Sequence, residues 1–210
     1  MKLSILSSAS QVYCTMRSIS DLCNLTSLEI NFVVLGRDAA VPQAMAAVAD
    51  ALSNSPIRNI GVFWSESYCP GLLPFDALRP WFRFRALEVL SLEQCPHPSF
   101  DDAMIAELAR AFPGLHVLCM YWERPLWISI GAEWDTNVTF QGLSALLRHC
   151  PKLKKLTLAV DVTEGMNPNI ESSLGGIFQT ELTTWEVRDS LISRIDIKYV
   201  ARTLSPTKKQ

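Results

Sequence analysis

The sequence predicts an α/β solenoid: a curved parallel sheet on the concave side, one short strand per repeat, with helices on the convex side. Three observations predict it. Apolar residues recur at relative positions 0, +3 and +5 in six places. Within each, the +3 and +5 residues alternate with polar or small ones, the period-2 pattern of a strand with one buried face. The segments between these triplets switch to helical spacing. Hydrophobic residues make up 49% of the 210-residue chain and charged residues only 19%, which excludes a disordered chain and points to apolar surface shared between neighbouring units.

The triplets are Leu25/Leu28/Ile30, Ile57/Ile60/Val62, Leu87/Leu90/Leu92, Leu115/Leu118/Met120, Leu153/Leu156/Leu158 and Leu182/Trp185/Val187, starting 32, 30, 28, 38 and 29 residues apart. Helical spacing runs through Val41, Met45, Val48 and Leu52, through Ile105, Leu108 and Phe112, and through Phe140, Leu143, Leu147 and Cys150. Ser99 with Asp102 three residues on resembles a capping box, and Thr139 is placed to cap the segment beginning at Phe140. Pro96, Pro98, Pro113 and Pro151 punctuate the element ends. A doubly wound α/β sheet also alternates strand and helix, but its buried strands read as near-continuous Val/Ile runs. Here the Leu-x-x-Leu-x-Leu spacing persists and no Gly-rich turn follows a strand.

About six irregular repeats thus form one domain over residues 1–210, with residues 123–138 inserted in the longest copy. Lys2 to Leu22 reads as the tail of a preceding repeat and Ser190 to Leu204 as the helix of the sixth copy. With no obvious polar cap at either end, the domain is expected to be cut from a longer array.

A formal net charge of −2 supplies no field to attract nucleic acid or an anionic membrane. The basic run Lys152, Lys154 and Lys155 alternates with Leu153 and Leu156, as the solvated side of one element does. No apolar run reaches the ~18–20 residues that span a bilayer, and Leu3 to Leu6 is too short for the core of a signal peptide. A soluble cytoplasmic or nuclear protein is expected. The sequons at Asn24 and Asn137 would then carry no glycan. Six cysteines, spread singly, are expected to be reduced and mostly buried thiols.

Leu87-Glu88-Val89-Leu90-Ser91-Leu92-Glu93-Gln94-Cys95 carries a cysteine eight positions after its first leucine, and Thr139-Phe140-Gln141-Gly142-Leu143, Leu146, Cys150-Pro151, Leu153, Leu156 and Leu158 follow in register. These residues resemble the cysteine-containing leucine-rich repeat of F-box proteins, and Phe100 to Pro113 with Thr139 to Val162 look most like the fungal F-box/leucine-rich-repeat set. The resemblance spans roughly Asn24 to Ser205. It implies repeats that recognise a protein substrate, with a separate F-box docking on the adaptor of a cullin-RING ubiquitin ligase. No Leu-Pro-rich F-box is visible before Leu25. The alternative is a stand-alone repeat scaffold, or a degenerate fragment, with no ligase link.

In such a solenoid the +2, +4 and +6 residues face the concave surface. That selects Glu29, Asn31, Asn59, Phe63, Glu93, Tyr121, Lys155, Thr157, Glu186 and Arg188 as the candidate partner-binding stripe. Phe63 and Tyr121 are the expected anchors, with Glu93 between them to orient a cationic partner group. The plainer alternative is that both rings merely cover the sheet. Trp127 and Trp134 in the insertion form a second candidate surface, against the alternative of a loop that buries its own tryptophans. Trp64 shares position +7 with Trp122, which suggests that the two pack in adjacent copies.

No nucleophile elbow, phosphate loop, zincin motif or dinucleotide fingerprint occurs. Cys95-Pro96-His97 lacks a second ligand pair at zinc spacing, and Asp102 and Asp161 are better explained by a cap and a turn than as acid and base. The expectation is a non-enzymatic protein-binding module that needs no metal or cofactor.

Overall fold

The computed structural model describes residues 1–18, 23–33, 40–64, 73–94, 100–121, 137–161 and 181–186. Its architecture is α/β. Seven parallel strands lie in chain order: β1 Lys2–Ser7, β2 Ser27–Phe32, β3 Asn59–Trp64, β4 Val89–Glu93, β5 Val117–Tyr121, β6 Lys155–Thr157 and β7 Thr184–Glu186. Among the described residues four α-helices intervene: α1 Ala9–Ser18, α2 Val41–Ala51, α3 Asp102–Ala111 and α4 Phe140–His149. The order advances in one direction and has no switch point, unlike a doubly wound sheet.

Residues that the spacing makes equivalent are also equivalent in register. Position +3 forms one row across the sheet: Leu3, Leu28, Ile60, Leu90, Leu118, Leu156 and Trp185. Position +5 forms a second row through Ile5, Ile30, Val62, Leu92 and Met120. Both rows point into the core and are buried except at the outermost strands, where Leu3, Ile5 and Trp185 are partly exposed. Position 0 is buried as well at Leu25, Ile57, Leu87, Leu115 and Leu153.

The register is set just before each strand. The position +1 carbonyl of one unit accepts from two successive N–H groups of the next: Met1 from Thr26 and Ser27, Thr26 from Arg58 and Asn59, Arg58 from Glu88 and Val89. Glu88 accepts likewise from His116 and Val117, His116 from Lys154 and Lys155, and Lys154 from Thr183 and Thr184. This unbroken relay leaves each strand one choice of register, because a slip of a single residue would turn its apolar row outward.

The described part of that stretch, Lys2 to Ser18, is therefore more than the tail of a preceding unit. Lys2–Ser7 is a full strand paired with β2, and α1 follows it, packing Ala9, Val12 and Met16 into the core. Position 0 of this unit would precede Met1, so only Leu3 and Ile5 remain of the triplet and the pattern is short of its first mark. A second departure lies between β3 and β4, where the described residues form two 3-10 helices, Phe75–Ala77 and Arg79–Arg83, and no α-helix. Pro74 and Pro80 favour this tight path. Its aromatics fill the space instead: Phe75 meets Phe100 edge-on at 5.6 Å between ring centroids, and Phe82 meets Phe112 likewise at 5.6 Å.

Side chains of neighbouring units reach the helix backbones. Trp81 Nε1 donates to the mid-helix carbonyl of Met45 in α2 at 2.9 Å, and Arg83 Nη1 donates to Ala49 O in its last turn at 3.4 Å. At α3 the N-cap is Asp101, whose carboxylate accepts from Met104 N–H at 2.8 Å. The expected capping box with Asp102 does not form, and Ser99 lies outside the described residues. Asp102 instead reaches forward to α4, accepting from Thr139 N–H at 2.7 Å, Thr139 Oγ1–H at 2.6 Å and Gly142 N–H at 2.9 Å. Thr139 caps α4 as expected, accepting from Gln141 N–H at 3.1 Å. At the other end of the pair, the Cys150 thiol donates to Ala109 O at 3.6 Å and Phe112 O at 3.4 Å. Burial pushes that thiol up to about 12 from the ordinary 9.0, so it stays protonated.

The expectation of mostly buried cysteines fails. Of the described four, only Cys150 is buried, while Cys14 and Cys23 are exposed and Cys119 is half-buried. Cys14 is on α1, in the stretch read as a tail, and Cys23 is in a turn just beyond that stretch.

Gly142 has no room for a side chain: a Cβ there would stand 2.5 Å from Asp102 Oδ1. Gly142→Ala is expected to destabilise the protein by about 2–3 kcal/mol in urea unfolding, because it displaces a half-buried carboxylate from three donors. Combining it with Asp102→Ala should cost less than the sum of the two single changes, since both break one network; full additivity would show that Asp102 does not bridge the helices.

Candidate interaction surface

On the sheet face opposite the buried rows, positions +2, +4 and +6 form three further rows. At +2 stand Lys2, Ser27, Asn59, Val89, Val117, Lys155 and Thr184; at +4 stand Ser4, Glu29, Gly61, Ser91, Cys119, Thr157 and Glu186. Position +6 runs Leu6, Asn31, Phe63, and then Glu93 and Tyr121. The predicted residues Glu29, Asn31, Asn59, Phe63 and Glu93 share this face and are half-buried, Lys155 is exposed and Glu186 is half-buried.

Of the other five candidates, one is contradicted. Thr157 is 2% exposed, so it is a core residue and cannot meet a partner. β6 ends there, the in-out alternation gives way to continuous burial from Leu156 to Val160, and just beyond it Asp161 N–H donates to Val138 O at 2.7 Å. Arg188 lies outside the described residues, as do Trp127 and Trp134 of the insertion and the Cys95-Pro96-His97 cluster. Tyr121 has its place in β5 but its side chain is not described.

The expected pairing of Trp64 with Trp122 also needs correction. β3 and β5 are separated by β4, whose +7 residue is Gln94, so positions 64 and 122 are not in adjacent units. Trp64 packs instead on Phe32 of β2, with ring centroids 5.7 Å apart, and both are fully buried. At Gln94 the chain leaves the strand through a left-handed backbone, φ 54°, which turns its side chain out of the buried +7 row.

Charges on this face are arranged unevenly. At one end Lys2 Nζ lies 2.6 Å from Glu29 Oε2, and at the other Lys155 Nζ lies 3.8 Å from Glu186 Oε1. Each pair joins a +2 lysine to the +4 glutamate of the following strand. Lys2 lowers the pKa of Glu29, first through its hydrogen bond and also through its charge, against the opposing effect of burial. Between these ends the +2 and +4 positions are Asn59, Val89 and Val117 with Gly61, Ser91 and Cys119, none of them charged at neutral pH. The Phe63 ring lies back over Gly61, where an added Cβ would stand 3.1 Å from its Cε2. Ser91 Oγ–H donates to Glu93 Oε1 at 2.7 Å.

Sequence reasoning missed Lys2, Gly61 and Ser91 here. The alternation that selected Glu29 and Glu93 selects Gly61 and Ser91 equally, but only large or charged residues drew attention; Lys2 was hidden because its strand was. Among the described residues no group of three His, Cys, Asp or Glu side chains could hold a metal, and no helix is long and apolar enough to cross a membrane. A scan against protein-family models finds no match, and no curated protein matches the chain.

Thr157 Oγ1 is buried with no hydrogen-bond partner. Replacing it by a methyl group removes an unsatisfied polar atom at equal volume. Thr157→Val is therefore expected to raise stability by about 1 kcal/mol in thermal or urea unfolding; a loss of that size would mean that the hydroxyl is satisfied.

Proposed function

We propose that the chain is a leucine-rich-repeat solenoid acting as a protein–protein interaction scaffold, of the kind that supplies substrate recognition in F-box type ubiquitin ligases. One observation carries the reading. Register is kept through the seven described strands, so the +2 and +4 residues of successive units, and the +6 residues of the first five, line up on the sheet face opposite the buried rows. A long face of this sort, with a half-buried aromatic near its middle and ion pairs toward its ends, has the layout of a protein interface: anchor at the centre, polar groups at the rim. The reading has a non-enzymatic protein in the cytoplasm or nucleus that needs no cofactor, and it assigns the insertion with Trp127 and Trp134 to the same partner.

A second reading, a stand-alone repeat protein with no ligase link, is favoured by the N-terminal residues. Lys2–Ser7 and Ala9–Ser18 extend the sheet and its helix layer. They enlarge the binding array and offer no separate module for an adaptor, which under the first reading would dock on an F-box outside this chain.

Affinity purification with mass spectrometry on the wild type beside a Phe63→Ala/Tyr121→Ala double variant tests the shared core of both readings. The double variant is expected to lose the specific partners while keeping the wild-type circular dichroism spectrum. Identical partner sets would overturn the interface.

A further inference from the structure

We infer that Glu93 receives a cationic side chain, an arginine, from the protein that docks on this face. The inference rests on the interface reading above and names the chemistry of the contact at its centre.

Charge arrangement is the first argument. Three glutamates on the described sheet face differ in their partners. Glu29 is neutralised by Lys2 and Glu186 by Lys155. Glu93 is not: among the described residues no cation meets it, and its hydrogen-bond partner is the neutral Ser91 hydroxyl. Glu93 stands one row further on, at +6, so the position equivalent to those lysines is +4 of the preceding strand, which is Gly61. The chain thus places a negative charge at mid-sheet and builds in the counter-charge only toward the two ends.

Geometry is the second. Glu93 is half-buried, so its carboxylate is shielded more than a fully exposed one, and an opposite charge brought to it is correspondingly more effective. Ser91 occupies one carboxylate oxygen and leaves Oε2 for an incoming donor. In register, Phe63 stands beside Glu93 on one side and Tyr121 on the other. A carboxylate flanked by aromatic positions suits a guanidinium, which is planar, stacks on rings and donates to a carboxylate at the same time. A lysine ammonium, more strongly hydrated and without a flat face, gains less from that setting.

The test uses the full chain and a defined probe, N-acetyl-arginine-N′-methylamide, with the uncharged citrulline analogue as its isostere. Nuclear magnetic resonance titration is expected to show saturable shifts centred on Ser91 and Glu93 with the arginine probe and none with citrulline. Glu93→Gln should weaken the arginine response by about tenfold or more, the loss of one charge-assisted contact, whereas Glu186→Gln should leave it unchanged. Glutamine can still accept from Ser91, so this variant is expected to keep the wild-type spectrum elsewhere. Equal shifts with citrulline, or an undiminished response in Glu93→Gln, would overturn the assignment. Partner capture separates the two levels. Partners lost in the Phe63→Ala/Tyr121→Ala variant but kept in Glu93→Gln would leave the interface standing and remove the arginine; partners kept in every variant would remove the interface itself.

Discussion

The position +1 carbonyl, shared by two N–H groups of the next unit, is the interaction on which the rest of this structure depends. It recurs at every junction from Met1 to Lys154, ahead of strands as different as the six-residue β2 and the three-residue β6. Each such hydrogen bond contributes only about 1 kcal/mol net. Its importance is positional: with the strand starts locked, the buried rows at +3 and +5 and the outward rows at +2, +4 and +6 follow without further specification. Units whose starts lie 28 to 38 residues apart can then differ in what joins their strands, so that a proline-bent pair of 3-10 helices stands at one junction where a regular helix stands at others.

The helix layer is tied by a different device, side chains of one unit completing the helix ends of another. Asp102 leaves α3 to cap α4, and Cys150 returns from the end of α4 to the last carbonyls of α3. Arg83 does the same for the last turn of α2 at Ala49 O, and Trp81 adds a hydrogen bond to its mid-helix Met45 carbonyl. Groups that water would have to satisfy in an isolated strand and helix are satisfied only when the next unit is in place, which makes neighbouring units interdependent.

Much of this was legible in the residues, for reasons that mark where legibility stops. The triplets and helical stripes are local periodicities, and they located β2 to β6 and α2 to α4 because every apolar position in them is buried. β1 escaped because its triplet lacks position 0, and Leu3 and Ile5 alone are too short a period to distinguish from a tail. Asp102 was read as a cap for its own helix because capping rules are written within one segment, whereas its three donors lie 37 to 40 residues downstream. On the outward face, alternation assigned Glu29, Phe63 and Glu93 to the correct side but failed at Thr157, where the strand is too short to sustain it. The contrast between paired Glu29 and Glu93 was beyond sequence reading altogether, because it depends on which strand brings a lysine alongside.

Residue-resolved hydrogen exchange under native conditions tests the central claim most directly. The account predicts that the amides of Arg58, Glu88 and His116, which donate to the +1 carbonyls at successive interior junctions, exchange slowly and with similar protection, as members of one cooperative ladder. Slow exchange at one junction beside rapid exchange at the next, with the strands themselves protected, would contradict it and show that register is set elsewhere.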